Sequence, residues 1–232
     1  MLFGGLQKNS LIDFPGKLSC VLFLSGCNFH CPYCHNPDLV TGKLLSSYPL
    51  GESDVYQFLE QRKGLLDGVV ISGGEPTLAK DLPSLCEKIK GMGYAVKLDT
   101  NGSRPQVIRH LVNEGLLDYI AMDIKTAPSE YARFVKKGED STDIRTSIQI
   151  IMESSVPYEF RTTCVKPLVD NDIIESVAKT IKGANRYVLQ RFNDTTILHP
   201  EFFKEVKPEY DMDELTSLQT IAKPWVKECI LR

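Results

Sequence analysis

Residues 20–34 read Cys20-Val-Leu-Phe-Leu-Ser-Gly-Cys27-Asn-Phe-His-Cys31-Pro-Tyr-Cys34, a short apolar run that leads directly into three cysteines. The apolar run has the length and the β-favouring residues of a buried strand, and the cysteines follow where such a strand ends. An iron–sulfur cube has four iron corners, so three thiolates leave one iron free to take a small molecule. We therefore interpret the cysteines as a catalytic site.

Two other uses of the cysteines are open to the sequence. Cys27, Cys31, Cys34 and His35 could make a closed Cys3His zinc site, although such sites usually join two ligand pairs across a longer loop. A zinc-binding interaction module is therefore the non-enzymatic alternative. A disulfide framework is disfavoured, because the chain has seven cysteines, an odd number, and its N-terminus does not resemble a secretory signal.

The composition is that of a globular protein. Of 232 residues, 42% are hydrophobic and 25% are charged, which is enough to bury a substantial core. The 27 basic and 30 acidic residues give a net charge of −3, with no long run of lysine or arginine to follow a phosphate backbone. The apolar runs are far too short to cross a bilayer. We expect a cytoplasmic protein without nucleic-acid or membrane partners.

Short β-rich apolar segments recur along the chain and alternate with helical stretches. The six predicted strands lie at 20–24, 68–71, 94–98, 119–122, 158–162 and 186–190, and the helices between them at 53–62, 81–90, 106–113, 143–153 and 172–181. Nearly all-apolar strands alternating with helices indicate a parallel sheet covered by helices. The sequence predicts an α/β fold in one domain (1–232): a lead-in (1–19), a partial (β/α)6 barrel (20–190) and a helical C-terminal extension (191–232).

Polar residues gather where the predicted strands end. After the cysteine loop come Ser72-Gly73-Gly74-Glu75-Pro76, Asp99-Thr100-Asn101-Gly102 and Asp123-Ile124-Lys125. The carboxyl ends of parallel strands meet at one edge of a barrel, so we expect these four loops to form one site. The glycines allow a close approach of backbone to a ligand, and the acids suit a cationic one.

These motifs, taken in order, resemble those of the radical S-adenosylmethionine (SAM) superfamily. The string CNFHCPYCHNP (27–37), Gly-Gly-Glu-Pro, Asp-Thr-Asn-Gly and Asp-x-Lys carry the resemblance over roughly the first 165 residues. More narrowly, His35-Asn36 and the Asp13–Gly16 segment resemble glycyl-radical-enzyme activating enzymes. The lead-in Ser10–Gly16 and the chain length are most similar to the longer anaerobic ribonucleoside-triphosphate reductase activating proteins.

The resemblance implies an iron–sulfur oxidoreductase. Cys27, Cys31 and Cys34 would hold a 4Fe–4S cluster whose fourth iron is chelated by SAM. Reductive cleavage of SAM would give a 5′-deoxyadenosyl radical, which takes a hydrogen from a glycine of the partner enzyme. The implied partners are a glycyl radical enzyme, foremost anaerobic ribonucleotide reductase, and a low-potential electron donor such as flavodoxin or ferredoxin.

The resemblance also implies roles for other residues. Asp13 and His35 would be catalytic residues facing the incoming glycine segment, and Asp99 with Asp123 could hold a monovalent cation. Arg161, at the end of the fifth predicted strand, is a candidate carboxylate partner because a guanidinium bonds bidentately, and a surface salt bridge is the alternative open to the sequence. The implied cofactor-binding residues are Tyr33, Asn36, Gly73, Gly74, Glu75, Asp99, Asn101, Asp123, Lys125 and Arg161.

Two other activities within the superfamily fit the same motifs. One is the activation of a pyruvate formate-lyase-like enzyme, and the other is radical chemistry on a small molecule or a peptide. An activating enzyme must admit a loop of a large protein, so its barrel should stay open on one side.

Overall fold

The computed structural model describes residues 2–41, 50–135, 143–193 and 196–232. The strands are β1 Phe3–Ser10, β2 Ser19–Leu24, β3 Gly68–Gly73, β4 Ala95–Thr100, β5 Tyr119–Asp123, β6 Tyr158–Cys164, β7 Tyr187–Arg191 and β8 Cys229–Leu231. The α-helices are α1 Pro37–Thr41, α2 Glu52–Gln61, α3 Leu82–Gly91, α4 Pro105–Asn113, α5 Asp143–Glu153, α6 Asn171–Thr180 and α7 Met212–Ala222. Short 3-10 helices lie at Pro76–Leu78, Pro128–Arg133, Pro200–Phe203 and Lys223–Trp225.

All eight strands form one sheet in the order β1 to β8. Strand β1 runs antiparallel to β2, and every later neighbour is parallel. Within the described ranges, β1 and β8 do not pair with each other, so the barrel is open between them. The predicted partial α/β barrel is confirmed, and its six predicted strands are β2 to β7.

The C-terminal extension differs from the prediction. Besides the expected helix, α7, it contributes β8, which pairs in parallel with β7 from Tyr187↔Cys229 to Leu189↔Leu231. The sheet therefore has seven parallel strands. A strand of only three residues is too short to show the alternation from which strands are recognised, and the exposed edge of β7 determines its position. The division into a single domain with a lead-in and an extension stays a prediction.

Side chains alternate between the two faces of the sheet, and this alternation separates the core from the site. In β4, Val96 and Leu98 join the apolar core beneath the helices. Lys97 and Asp99 lie on the inner face, where they contact each other. Asp123 of β5 and Arg161 of β6 lie on the same inner face and contact one another. These charged side chains of β4 to β6 thus lie inside the open barrel.

The amino-terminal end of the inner face combines a small apolar cluster with the buried Glu159, which accepts from the Tyr119 hydroxyl (3.3 Å) and pairs with Arg232 (3.1 Å). Phe14 packs with Val21, Val70 and Tyr119 in a small separate cluster, and its ring lies 6.1 Å from that of Tyr119. The cluster fills this end of the barrel and leaves the carboxyl edge for a cavity. None of the helices in the described ranges has the length and apolar character required to cross a membrane.

Candidate functional site

The loop of residues 27–34 joins β2 to α1 at the carboxyl edge of the sheet. Its first half is anchored by the buried Asn28, which donates to Ser103 Oγ (2.9 Å) and accepts from Asn101 Nδ2 (3.0 Å). Phe29 forms a β-bridge with Val135. The polypeptide thus has a defined path where it carries its thiols, although this stretch has almost no regular secondary structure.

The three thiols open into one cavity of about 280 Å³, to which strands β3 to β7 also contribute. From the cysteine loop and the residues after it, the cavity is lined by Cys27, Cys31, Tyr33, Cys34, His35 and Asn36. From the strand ends, Gly73, Gly74, Asp99, Asn101, Asp123, Lys125 and Arg161 line it. The structure therefore brings most of the predicted site residues together.

The donor set suits a metal centre larger than a single ion. Among the described residues, no three Cys, His, Asp or Glu side chains lie close enough together to hold one metal ion. The thiols of Cys27, Cys31 and Cys34 nevertheless face one cavity. Three cysteines around one cavity suit an iron–sulfur cluster, which binds one iron to each thiolate and keeps the fourth iron free.

Without a metal the thiols are protonated at neutral pH. Burial raises the pKa of the Cys27 thiol to about 11 and that of Cys31 to about 12, and it also raises the pKa of Cys34. Thiolates are the form that binds iron, so binding must release these protons. Lys125 acts in the opposite direction on all three thiols, because its charge favours the thiolate.

Opposite the thiols, five charged side chains form a continuous network across three strands. Arg161 Nε donates to Asp123 Oδ1 (2.7 Å), and Arg161 Nη1 lies 3.3 Å from Asp99 Oδ2. Lys125 Nζ donates to the other oxygen of Asp123 (2.9 Å). The buried Lys97 completes the network through Asp99. Three cations and two carboxylates leave one positive charge, so the network suits an anionic group in the cavity.

Mutual attraction keeps Asp123, Lys125 and Arg161 ionised despite their burial. Burial alone would raise the pKa of Asp123, but Arg161 and Lys125 outweigh it and hold the pKa well below its usual range. Burial would likewise lower the pKa of Arg161 and of Lys125, but the carboxylates beside them raise both. The charges are therefore fixed in place before any ligand binds.

Gly73 and Gly74 pack closely against the backbone of Leu24 and Gly26. A Cβ on Gly73 would lie 2.3 Å from Leu24 O, and one on Gly74 would lie 2.0 Å from Gly26 O. Gly73 also has a φ of +126°, which side chains rarely allow. Gly74 N donates to Leu24 O (2.8 Å) and fastens the β3 turn to the start of the cysteine loop. The glycines thus set the distance between the two loops.

Glu75 is placed differently from the other predicted ligands, because it is buried and does not line the cavity. Its Oε1 accepts from Thr77 N (3.0 Å), Thr77 Oγ1 (2.5 Å) and Thr100 Oγ1 (2.7 Å), and its Oε2 accepts from Asn101 N (2.6 Å). Burial raises the pKa of Glu75, and the four donors counteract this. Glu75 therefore joins the β3 and β4 loops, and contact with a cofactor stays a prediction.

The two residues predicted to be catalytic lie far apart. His35 is exposed at the cavity, where its Nε2 contacts Asn193 O (2.9 Å). Asp13 follows β1, whose last residue Ser10 pairs with Ser19 at the amino end of β2, and it accepts from Ser10 Oγ (2.5 Å). The structure does not bring Asp13 into the cavity, so any role in presenting a partner segment would act from the opposite edge.

Several site residues were missed from the sequence, among them Thr163, Gln190 and Arg191, which line the cavity, and three residues that position others. Asn28 and Ser103 fix the cysteine loop, and Lys97 holds Asp99. A signal existed for Lys97, because a lysine within an otherwise apolar strand has to find a carboxylate when it is buried. A signal for Asn28 was its place inside the cysteine loop. Ser103 gave none, since it lies 75 residues from Asn28.

Comparison with known proteins places these motifs in a family. Residues 21–180 match the family described as the Radical SAM superfamily. A protein of Methanocaldococcus jannaschii is 38% identical over the whole of this chain and 95% of its own length; its name, glycyl-radical enzyme activating enzyme, is provisional. The pyruvate formate-lyase-activating enzyme of Streptococcus mutans is 28% identical over 80% of this chain and 75% of its own.

Two further comparisons extend this picture. A 7-carboxy-7-deazaguanine synthase of Thermococcus kodakarensis is 28% identical over 75% of this chain and 74% of its own. Among solved structures, SuiB of Streptococcus suis with its precursor peptide SuiA superposes with a TM-score of 0.66 at 15% identity, over 91% of this chain and 48% of that one. The structural similarity supports the fold.

Proposed function

The chain belongs to the radical SAM superfamily, and on that premise we propose that it is a glycyl-radical-enzyme activating enzyme whose partner is anaerobic ribonucleoside-triphosphate reductase. The family's cofactors are a 4Fe–4S cluster and SAM. When bound, they would supply the one-electron chemistry that cleaves SAM reductively and removes a hydrogen atom from a glycine of the partner. The protein positions these groups and excludes water.

The residues present fit the cluster. Cys27, Cys31 and Cys34 would hold three irons, because these cysteines line one cavity and each thiolate of such a cluster binds one iron. The fourth iron is left to SAM, which would lie between the cysteine loop and the charged network. Tyr33 and Asn36 also line the cavity, consistent with the cofactor-binding role that the resemblance implies for them.

The opposite wall fits an amino acid. The β3–β4 ladder ends at Ile71↔Leu98, whereas β3 continues along β2 to Gly73. The backbone of Ser72 and Gly73 therefore faces the cavity beyond the end of that ladder and can bond to the ammonium or carboxylate of the SAM methionine. The network has one more cation than carboxylates, so Arg161 and Lys125 can attract the carboxylate of the SAM methionine. A monovalent cation between Asp99 and Asp123 stays a prediction.

The observation that carries activation, rather than metabolite chemistry, is the similarity to the Methanocaldococcus jannaschii protein, which spans the full chain at 38% identity. The open barrel supports it, since an inserted loop of a large protein needs an open side between β1 and β8. The choice of ribonucleotide reductase rests on the resemblance of the Ser10–Gly16 lead-in. A flavodoxin or ferredoxin would supply the electron.

The test is anaerobic reconstitution with iron and sulfide. Reduced protein with SAM should form 5′-deoxyadenosine and, with anaerobic ribonucleotide reductase added, a glycyl radical doublet in the EPR spectrum. Cys27→Ala, Cys31→Ala and Cys34→Ala should each lose the brown cluster absorbance. Cys229→Ala is the matched control, because Cys229 is also a buried free cysteine but lies in β8, and it should keep the cluster.

The alternatives give different outcomes in this assay. If a glycyl radical forms only on an added pyruvate formate-lyase, the proposed activating function stands and the proposed partner is wrong. The 28%-identical deazaguanine synthase supports a small-molecule reaction as the second candidate; turnover of a free metabolite without any glycyl radical would replace the proposal with it. Colourless protein with one zinc per chain would overturn the cluster altogether.

A further inference from the structure

The second half of the cysteine loop is held by a segment outside the residues that match the family. This segment, residues 196–203, follows β7, and the family match ends at residue 180. Leu198 N donates to Cys34 O and His199 N donates to Pro32 O, both at 3.0 Å. Two main-chain hydrogen bonds therefore reach the loop beside its second and third cysteines.

The 196–203 segment is itself firmly anchored. Ile197 and Phe203 are buried in the main core, and Phe203 stacks on Phe192 at a centroid distance of 6.0 Å. His199 lies between the two anchors and is only partly exposed. Because both ends are fixed by apolar burial, the segment can hold the cysteine loop instead of merely following it.

Side chains add a directed contact between the two parts. His199 Nε2 lies 2.9 Å from His30 Nε2, and the two rings lie 4.6 Å apart with an angle of 35° between their planes. Glu201 Oε1 lies 2.7 Å from His199 Nδ1. An ionised Glu201 can only accept, so Nδ1 of His199 carries its hydrogen, and a neutral His199 then accepts at Nε2 from His30. Glu201 thus orients His199 toward the loop.

The two halves of the loop therefore have different main-chain attachments, and Tyr33 of the second half also packs against Phe134 (6.1 Å between ring centroids). Asn28 and Phe29 attach the first half to the β4 loop and to Val135. Pro32 and Cys34 receive their bonds from the 196–203 segment. Since the cluster proposed above needs all three thiols at fixed positions, both attachments have to hold at once.

We propose that His199 is a positioning residue that fixes Cys31 and Cys34 for the cluster through its hydrogen bond with His30. This contact between His199 and His30 is called the clasp. The inference rests on the proposed cluster site. It extends that site to a part of the chain beyond the family match, and it assigns functions to His30 and His199. The contact keeps the second half of the loop closed over its thiols, both before and after the cluster is bound.

The primary test uses apo-protein, so it does not depend on activity. Alkylation of each cysteine by iodoacetamide is followed by mass spectrometry in wild type, His199→Ala, His30→Ala and the double variant. We expect each single variant to speed alkylation of Cys34 on the order of tenfold, the size expected from losing one hydrogen bond that closes the loop. The double variant should be no faster than either single one, because both remove the same contact.

Internal and matched controls separate a local effect from general unfolding. Alkylation of Cys229 in the same samples should speed up much less than that of Cys34, and the unfolding midpoint should fall by no more than the loss of one hydrogen bond allows. Lys204→Ala, an exposed change next to the segment, should behave as wild type. Unchanged Cys34 alkylation in both single variants, or effects that simply add in the double variant, would overturn the proposal. If His199→Ala does not fold, His30→Ala removes the contact from the other side.

The second readout is the midpoint potential of the reconstituted cluster. A looser loop exposes the cluster to water, so the potential of His199→Ala should shift to a more positive value, whereas that of Lys204→Ala should not. Faster Cys34 alkylation with an unchanged potential would overturn the part of the inference that concerns the cluster. If no cluster forms in wild type, the proposed function fails, while the alkylation result still decides the clasp.

Discussion

Replacing Glu75 by glutamine tests whether this buried carboxylate holds the β3 and β4 loops together. Glu75→Gln keeps the shape and volume of the side chain, and it changes only the charge and one acceptor atom. In the structure Oε1 accepts three hydrogen bonds and Oε2 accepts one, from Asn101 N. The amide would place its oxygen where three donors converge, so its NH₂ group would face the Asn101 N–H.

The cost follows from that count. One buried N–H without an acceptor costs about 1–3 kcal/mol, and the three remaining bonds weaken when the charge is lost. Relief of carboxylate desolvation offsets part of this loss, since burial penalises the charge of Glu75. We expect a net decrease of about 2 kcal/mol in the free energy of unfolding of the apo-protein. In a chain of this size the melting temperature should fall by roughly 2–4 °C for each kcal/mol.

Urea denaturation of reduced apo-protein, followed by circular dichroism, measures this difference. Glu52→Gln is the matched control: Glu52 also bonds two side chains, Tyr56 (2.9 Å) and Lys88 (3.0 Å), but it is exposed on α2. Its substitution should cost far less, because exposed ion pairs contribute little. Equal stabilities of Glu75→Gln and wild type would refute the reasoning, as would a Glu52→Gln variant that is the less stable of the two.

Three further variants test the site. The pKa of Asp123 is held below its usual range, so its contribution to stability is present above the unfolded pKa and is lost as the pH falls. The urea midpoint of wild type should therefore drop more steeply between about pH 5 and 3 than that of Asp123→Asn. Parallel curves would contradict this. Arg161→Gln should weaken SAM binding, measured by isothermal titration, by roughly tenfold or more; unchanged affinity would remove Arg161 from the site. Gly74→Ala would force a Cβ against Gly26 O and should destabilise the apo-protein by about 3 kcal/mol or more. Its control is Gly91→Ala, which has open space around its Cβ and should be neutral or slightly stabilising. Equal melting temperatures of the two variants would contradict the close packing at Gly74.

The sequence predicted the parts of the fold that depend on local pattern. The six apolar segments became β2 to β7, and the helix expected at 143–153 is α5 at Asp143–Glu153. The convergence of four loops also followed from pattern, because parallel strands end at one edge. Strand β8 could not be predicted, since three residues acquire a strand conformation only through the neighbouring β7.

Contacts between distant residues explain the other differences at the site. The carboxylate of Glu75, whose contact with a ligand stays a prediction, accepts hydrogen bonds from Thr77 and also from Thr100 and Asn101, 25 and 26 residues away. The clasp between His30 and His199 joins residues 169 positions apart, and no periodic pattern relates them. Asp13 was predicted to be catalytic, yet the antiparallel pairing of β1 with β2 leaves it at the edge of the sheet opposite the cavity. Pattern determines which strand end a residue occupies, and tertiary packing determines what it contacts there.

The strand order from β1 to β8 is also the order of the chain. Every strand pairs with its predecessor in sequence, so each step of sheet formation closes the loop of a single connection, the smallest entropic cost that this topology allows. The sheet can therefore grow from the amino terminus in the order in which a ribosome releases it. The cysteine loop is released early in this order, and the segment that holds its second half emerges only after β7.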